Sequence, residues 1–392
     1  MTITLRTAIT ASLSLAVLAA PCLPAHAVGT DPWVRGWGTN GLGQLGNGST
    51  VNQQTPSDVQ GIARDHVREL SGGGDATTNP FAVAVLKDGT VKSWGANLTG
   101  QLGNGTTTSQ SFPATVAGLS GVSEISAGST HVLAVKGGRV LAWGSNAKGQ
   151  LGTGVTAADP GGVQKTPVDV QSLAKVKDVG AGCDFSVALR EDGTVWTWGA
   201  GDNGRLGTGN TTARNTPQKV NDLTDVAAIS VGCDFVLALT ADGIVKAWGR
   251  NTEGQLGNDT VTDSSVPVDV QYLSAVARIS ATAYSSFAVL DDASVVAWGR
   301  NSNSQLGDGT TTNRTTAVPI DRLQGVRDIA GGLDHTVAAL DDGSVLAWGA
   351  NANAQLGDGT TNSTDKPVVV LPAGSGIDHV ATSRTGKSSF AY

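Results

Sequence analysis

Short apolar runs rich in β-branched and aromatic residues recur along the chain, separated by clusters of Gly, Asn, Asp and Thr. Ser186-Val187-Ala188-Leu189 and Thr194-Val195-Trp196-Thr197-Trp198 flank Asp192-Gly193, a dipeptide suited to the left-handed backbone of a tight hairpin. They predict two paired strands. The same turn recurs at Asp88-Gly89, Asp242-Gly243 and Asp342-Gly343, with Gly137-Gly138 and Asp292-Ala293 as variants. Two more short strands are predicted around residues 112–116 and 122–126, so each unit reads as a four-stranded antiparallel sheet. No window holds a helical period.

The units repeat. TrpGly occurs at Trp37, Trp94, Trp143, Trp198, Trp248, Trp298 and Trp348, at intervals of 57, 49, 55, 50, 50 and 50 residues. Each is followed by a GlnLeuGly turn or, at Arg205-Leu206-Gly207, a variant of it. Four strands per unit at this period predict an all-β fold, a β-propeller of four-stranded antiparallel blades, with a linear solenoid as the rival. The ends of the chain discriminate between them. The last segment, Ile377 to Tyr392, starts a unit without a TrpGly strand, whereas Asp31 to Gly38 supplies a TrpGly strand without a preceding partner. N- and C-terminal strands are therefore expected to share one blade, Val34 alongside Phe390. The tryptophans are the expected structural anchors.

Residues 1–27 differ from the rest. Arg6 precedes an apolar stretch from Ala8 to Ala20, and Ala25-His26-Ala27 offers small residues for cleavage, the pattern of a secretory signal peptide. The stretch is shorter than the ~20 residues a membrane-spanning helix needs, and Pro21 before Cys22 fits lipidation poorly. A mature chain from residue 28 to 392, one propeller domain, secreted or in the cell envelope after cleavage near Ala27, is the expectation. Two cysteines then remain, Cys183 and Cys233, each in GlyCysAspPhe and 15 residues before an anchor tryptophan. A disulfide and two separate buried thiols are both compatible with this placement.

Composition narrows the partners. The 392 residues carry 26 Lys and Arg against 33 Asp and Glu, net −7, with no basic run. Phosphate backbones require a concentrated positive field, so nucleic acid is excluded as an expected partner. Catalytic chemistry is sparse. His131 and His335 occupy a repeat slot that holds Phe81, Phe185 or Phe235 elsewhere, which makes it a packing position. His66 and His379 have no Cys or His at ligand spacing, so no metal is expected. The two GxGxxG matches, Gly41 to Gly46 and Gly199 to Gly204, lead into turns rather than helices and imply no dinucleotide. Asn47, Asn97, Asn104, Asn210, Asn258, Asn313 and Asn362 head AsnXaaSer/Thr tripeptides that follow the repeat and read as turn formers. Asp184, Asp234 and Asp334, with Tyr284 in the fourth equivalent place, read as turn caps or as a partial acidic ring able to hold a cation. No cofactor is expected.

Function is expected where the repeat breaks its own rule. Extra residues fall at Ser71 to Pro80, Val155 to Val163 and Ser383 to Lys387. The first and third join strands one and two, the second joins strands three and four, and all three connections emerge on one face. Asp75, Asn79, Asp159 and Arg384 are the candidate partner contacts there, against the alternative that loops tolerate insertion cheaply.

The segment from His335 to Gly359, HisThrValAlaAla, then AspGlySerValLeuAlaTrpGlyAlaAsn, then GlnLeuGlyAspGly, is similar to the regulator of chromosome condensation repeat. The resemblance covers nearly all of the chain after residue 27 and implies a seven-bladed propeller with one blade closed by both termini. The founding member is a chromatin-bound exchange factor for a small GTPase; related exported propellers include a bacterial β-lactamase inhibitor. This chain lacks a basic tail and a long inserted wedge, and neither activity transfers by motif. The expected role is an exported, bacterial-type, monomeric and non-catalytic binding or scaffold propeller. Its partner would be another protein or a cell-surface component, with exchange-factor and hydrolase-inhibitor roles as alternatives.

Overall fold

The computed structural model describes residues 33–75, 77–155 and 162–392. The signal-peptide reading, the cleavage region at Ala27 and the candidate Asp159 lie outside these residues. Among the described residues the chain forms 28 strands and two single-turn 3-10 helices. The strands make five sheets of four and one of eight. Each four-stranded sheet is antiparallel. In the one carrying Trp198, Val176–Ala181, Phe185–Arg190, Val195–Gly199 and Arg214–Lys219 pair in order.

The eight-stranded sheet is two such quartets. One comprises Val67–Asp75, Phe81–Leu86, Val91–Gly95 and Gln110–Thr115; the other draws on both ends of the chain, in the order Gln53–Ala63, Trp33–Gly38, Ser388–Ala391 and Val380–Thr385. Arg35 stands opposite Ala391 and Gly36 opposite Phe390. The expected pairing of Val34 with Phe390 is thus shifted by two residues. Because side chains alternate with period two, a two-residue shift keeps the same face inward, and both side chains occupy one core cluster.

The quartets join through a parallel pair, Ser383 opposite Gly72 and Thr385 opposite Asp75. This corrects the reading of Ser71 to Pro80 as an inserted loop: strand continues through Asp75, and only the residues after it leave the sheet. Glycine permits the approach. A methyl group on Gly72 would lie 2.5 Å from the carbonyl oxygen of Thr382. The first strands of successive quartets are neighbours, and Val380–Thr385 touches both Val326–Gly331 and Val67–Asp75, so the array closes on itself.

The core lies between quartets. Seven apolar clusters each contain one anchor tryptophan, fully buried, packed on strands of the preceding quartet. An indole buries ~150–250 Å², so each anchor contributes about 4–6 kcal/mol as an upper bound. Its N–H needs an acceptor, and the GlnLeuGly turn supplies one. Trp198 Nε1 donates to the Gln150 carbonyl (2.8 Å), Trp94 to Gln44 (2.8 Å), Trp248 to Arg205 (3.1 Å), and Trp37 to Gln355 across the chain ends (3.0 Å). The turn's glycine is obligatory. Gly152 has φ +66°, and a methyl group there would sit 2.8 Å from Trp198 Nε1.

Candidate functional site

Antiparallel order places the connections between strands one and two, and between strands three and four, on one face, termed here the upper face. Asp75 lies there, but its carboxylate is occupied. It accepts from the backbone N–H groups of Thr77 (2.8 Å) and Thr78 (2.6 Å) and from the Thr78 hydroxyl. Burial works to raise its pKa, yet these bonds outweigh burial and hold it below the usual carboxylate range. Asn79 donates to Thr78 Oγ1 at 3.0 Å. Arg384 is placed differently. It lines a cavity in the central channel with Ser71, Gly72, Ser280, Gly331 and Thr382, at the upper end of the first strand of its quartet. The structure therefore brings Asp75 and Arg384 onto adjoining strands, Thr385 Oγ1 donating to the Gly74 carbonyl at 3.0 Å. The two side chains make no ion pair.

A second constellation on the upper face gathers arginines that the sequence reading missed around Tyr284, Asp234 and Asp334. Tyr284, half-buried, is flanked by two guanidinium groups, Arg250 at 4.9 Å and Arg300 at 5.8 Å from its ring centroid. Each arginine also meets an acid. Arg250 Nη1 lies 3.8 Å from Asp234 Oδ2, and Arg300 Nη2 lies 3.3 Å from Asp334 Oδ1. Arg205, which replaces the usual glutamine of the turn, sends Nη1 to Asp234 Oδ1 at 2.8 Å, and Asn303 Nδ2 donates to Asp334 Oδ1 at 3.1 Å. These contacts correct the reading of Asp234 and Asp334 as turn caps or a cation ring: their carboxylates are paired with arginine. Burial is the dominant influence on Asp234 and raises its pKa despite Arg205 and Arg250. Burial, then the Asp234 charge, also raises Tyr284, so its hydroxyl stays protonated. One signal was present in the sequence: TrpGly is followed by arginine only at Arg250 and Arg300.

Beside this cluster Cys183 and Cys233 form a disulfide, Cα atoms 4.7 Å apart, bridging adjacent quartets. Their backbones also join, Cys183 N–H donating to the Cys233 carbonyl at 2.9 Å. Both sulfurs are consumed in the bridge, so the nearby Asp234 finds no thiolate to complete a metal site.

The opposite end of the channel is acidic. Glu69, Glu124 and Asp178 take the third place of three successive first strands. Glu69 accepts from the Ile125 N–H of the next quartet at 2.8 Å. Burial, then the neighbouring Glu124 charge, raises Glu69 well above its ordinary value; the same two causes push Asp178 up to about 7. His131 and His335 are buried and reach the next quartet, with Nε2 3.0 Å from Ser186 Oγ and 2.8 Å from Ser389 Oγ. Burial pushes both down to about 3, so they are neutral. Among the sequon asparagines, Asn97 is fully buried, its Oδ1 accepting from the Leu102 N–H at 3.0 Å.

This architecture is that of a β-propeller, and comparison with known proteins assigns it. Residues 156–392 match the RCC1-like domain, and residues 34–78 and 88–135 match the regulator of chromosome condensation (RCC1) repeat. The chain belongs to the RCC1-like propeller family. Among curated proteins it is 30% identical over 184 residues to the human E3 ubiquitin-protein ligase HERC2, covering 45% of this chain and 4% of that protein. It is 30% identical over 181 residues to the Arabidopsis thaliana ultraviolet-B receptor UVR8, covering 46% of this chain and 28% of the receptor. The matched stretch thus spans a small part of these relatives. Two solved structures share the fold at 22% identity and a TM-score of 0.80. One is Prp20p of Saccharomyces cerevisiae, covering 92% of this chain and 91% of that one, described with its binding to Gsp1p and histones. The other is human WBSCR16, covering 92% and 98%. Among the described residues no helix is long and apolar enough to cross a membrane.

Proposed function

We propose that this chain is an exported, non-catalytic, seven-bladed propeller that binds another protein or a cell-surface component through its upper face. The observation that carries the reading is the Arg250–Tyr284–Arg300 stack with its flanking Asp234 and Asp334. Tyrosine and arginine are the side chains most enriched among residues that dominate binding energy. Guanidinium stacking on a ring holds them in place before a partner arrives. The cluster sits where the repeat departs from its consensus, which supports a role that packing alone does not require. Asp75 and Asn79 belong to the same reading as further contacts, and Asp159 is proposed with them from the sequence alone. Export is supported by the composition of residues 1–27 and by the Cys183–Cys233 bridge, which suits an oxidising compartment.

The test is capture with the immobilised full-length protein from culture supernatant and surface extract. An Arg250→Ala/Tyr284→Ala variant is compared with Tyr272→Ala, an 83% exposed tyrosine between the fourth strand of one quartet and the first of the next, on the opposite face. One protein retained by wild type and Tyr272→Ala and lost by the double variant is the expected outcome. Equal retention by both variants overturns the assignment of the face.

A further inference from the structure

The channel cavity holds a cation without a counterion. Among the described residues the Arg384 side chain has no hydrogen-bond or ion-pair partner, and its Nε is buried. No carboxylate lines the cavity, whose walls are Gly, Ala, Ser, Thr and short apolar side chains. The only influence on its pKa is burial, which pushes it down to about 10. The residue as a whole is partly exposed, but its Nε is taken out of water with nothing to replace its hydration, and native proteins pair such groups. The acids Glu69, Glu124, Asp178 and Asp328 take the third place of their first strands, toward the other end of the channel, and Asp328 is engaged by the Val380 N–H at 3.1 Å.

We propose that the upper part of the central channel is a carboxylate-binding site with Arg384 as its anchor. One positive charge in a neutral wall balances a monoanion, and the planar fork of a guanidinium matches the two oxygens of a carboxylate. The cavity, about 160 Å³, admits a small organic acid or the tip of an acidic side chain and little more. Thr382, which also lines the cavity, carries a hydroxyl that can serve as a second donor. Gly72 on the adjoining strand lines this space without a side chain. The site is distinct from the Tyr284 cluster, and its occupation does not require that cluster to bind a partner.

Thermal unfolding of the full chain at constant ionic strength, with sodium chloride replaced stepwise by sodium acetate or sodium succinate, tests the site. A parallel arm uses the blocked tripeptide acetyl-Gly-Glu-Gly-amide. For a dissociation constant near ~1 mM, a saturable rise in Tm of about 2–3 °C at ~20 mM ligand is expected. Arg384→Met should abolish the rise and also unfold at a higher temperature than ligand-free wild type, since it removes the unpaired charge. Arg384→Lys should retain a weaker rise, the point charge lacking the bidentate fork. A larger response to the tripeptide than to the free acids assigns the carboxylate to a protein side chain; the reverse assigns it to a small metabolite. No saturable rise with any of the three, or an undiminished rise in Arg384→Met, overturns the proposal. Because Arg250 and Tyr284 are intact in these variants, loss here leaves the upper-face capture result standing.

Discussion

Asp178 shows how one side chain couples the channel to pH. In the unfolded chain its carboxyl titrates near 3.8, whereas in the channel burial and the Glu124 charge hold its pKa at about 7. Between these values the native state keeps a proton that the unfolded state releases. Stability from this group is therefore greatest below the unfolded value and is lost as pH rises through about 7. His131 and His335 have the opposite sign: with pKa values lowered to about 3, they favour the native state above 6.5 and cease to do so as pH falls. Asp178→Asn should raise the urea midpoint at about pH 8 and leave it nearly unchanged at about pH 4, flattening the alkaline side of the profile. An equal gain at both pH values would show that the carboxylate's charge is not the cause. Arg205 is the other instructive residue. In the sequence it is a deviant turn glutamine; in the structure the same backbone still accepts Trp248 Nε1 while the side chain reaches Asp234.

At the scale of strands, the period-two apolar runs and the Asp-Gly turns were legible because each hairpin is a local construction whose residues are consecutive. Ser186 to Leu189 and Val195 to Trp198 pair as their spacing implies. The extension of strand through Asp75 was not legible. It depends on a parallel neighbour more than 300 residues away, and the glycines that permit it look in sequence like a loop. The arginine–tyrosine cluster was hidden for a related reason: Arg250, Tyr284 and Arg300 converge only once successive quartets stand side by side. The cysteines illustrate the intermediate case. Their shared tetrapeptide put them at equivalent places, but whether those places touch is a property of the upper face, where their backbones also bond. The bridge closes 50 residues, for which the chain-entropy account gives about 4 kcal/mol. A Cys183→Ser/Cys233→Ser variant should lose this amount in chemical denaturation, and wild type in reductant should fall to the same midpoint. Unequal midpoints would assign part of the loss to the substituted side chains.

For the whole molecule, hydrogen-bonded ladders hold each quartet together and tryptophan-centred clusters join one quartet to the next. Every junction repeats an indole bonded to the preceding turn carbonyl, and the one made by Trp37 and Gln355 across the chain ends has the same form as the others. The upper-face cluster spans several of these junctions, so a partner bound there would hold neighbouring quartets together. Since Arg35 already faces Ala391, a short linker from Tyr392 to Val34 would replace a break with a hairpin. New ends could then be cut at the Gly137–Gly138 turn without removing any of these bonds. Such a circular permutant should keep the tryptophan emission maximum and cooperative unfolding of the parent, and a permutant that fails to fold would show that the native start and finish are required for assembly. In such a ring the seam between the ends is one more joint of the same make, open to being moved to another turn.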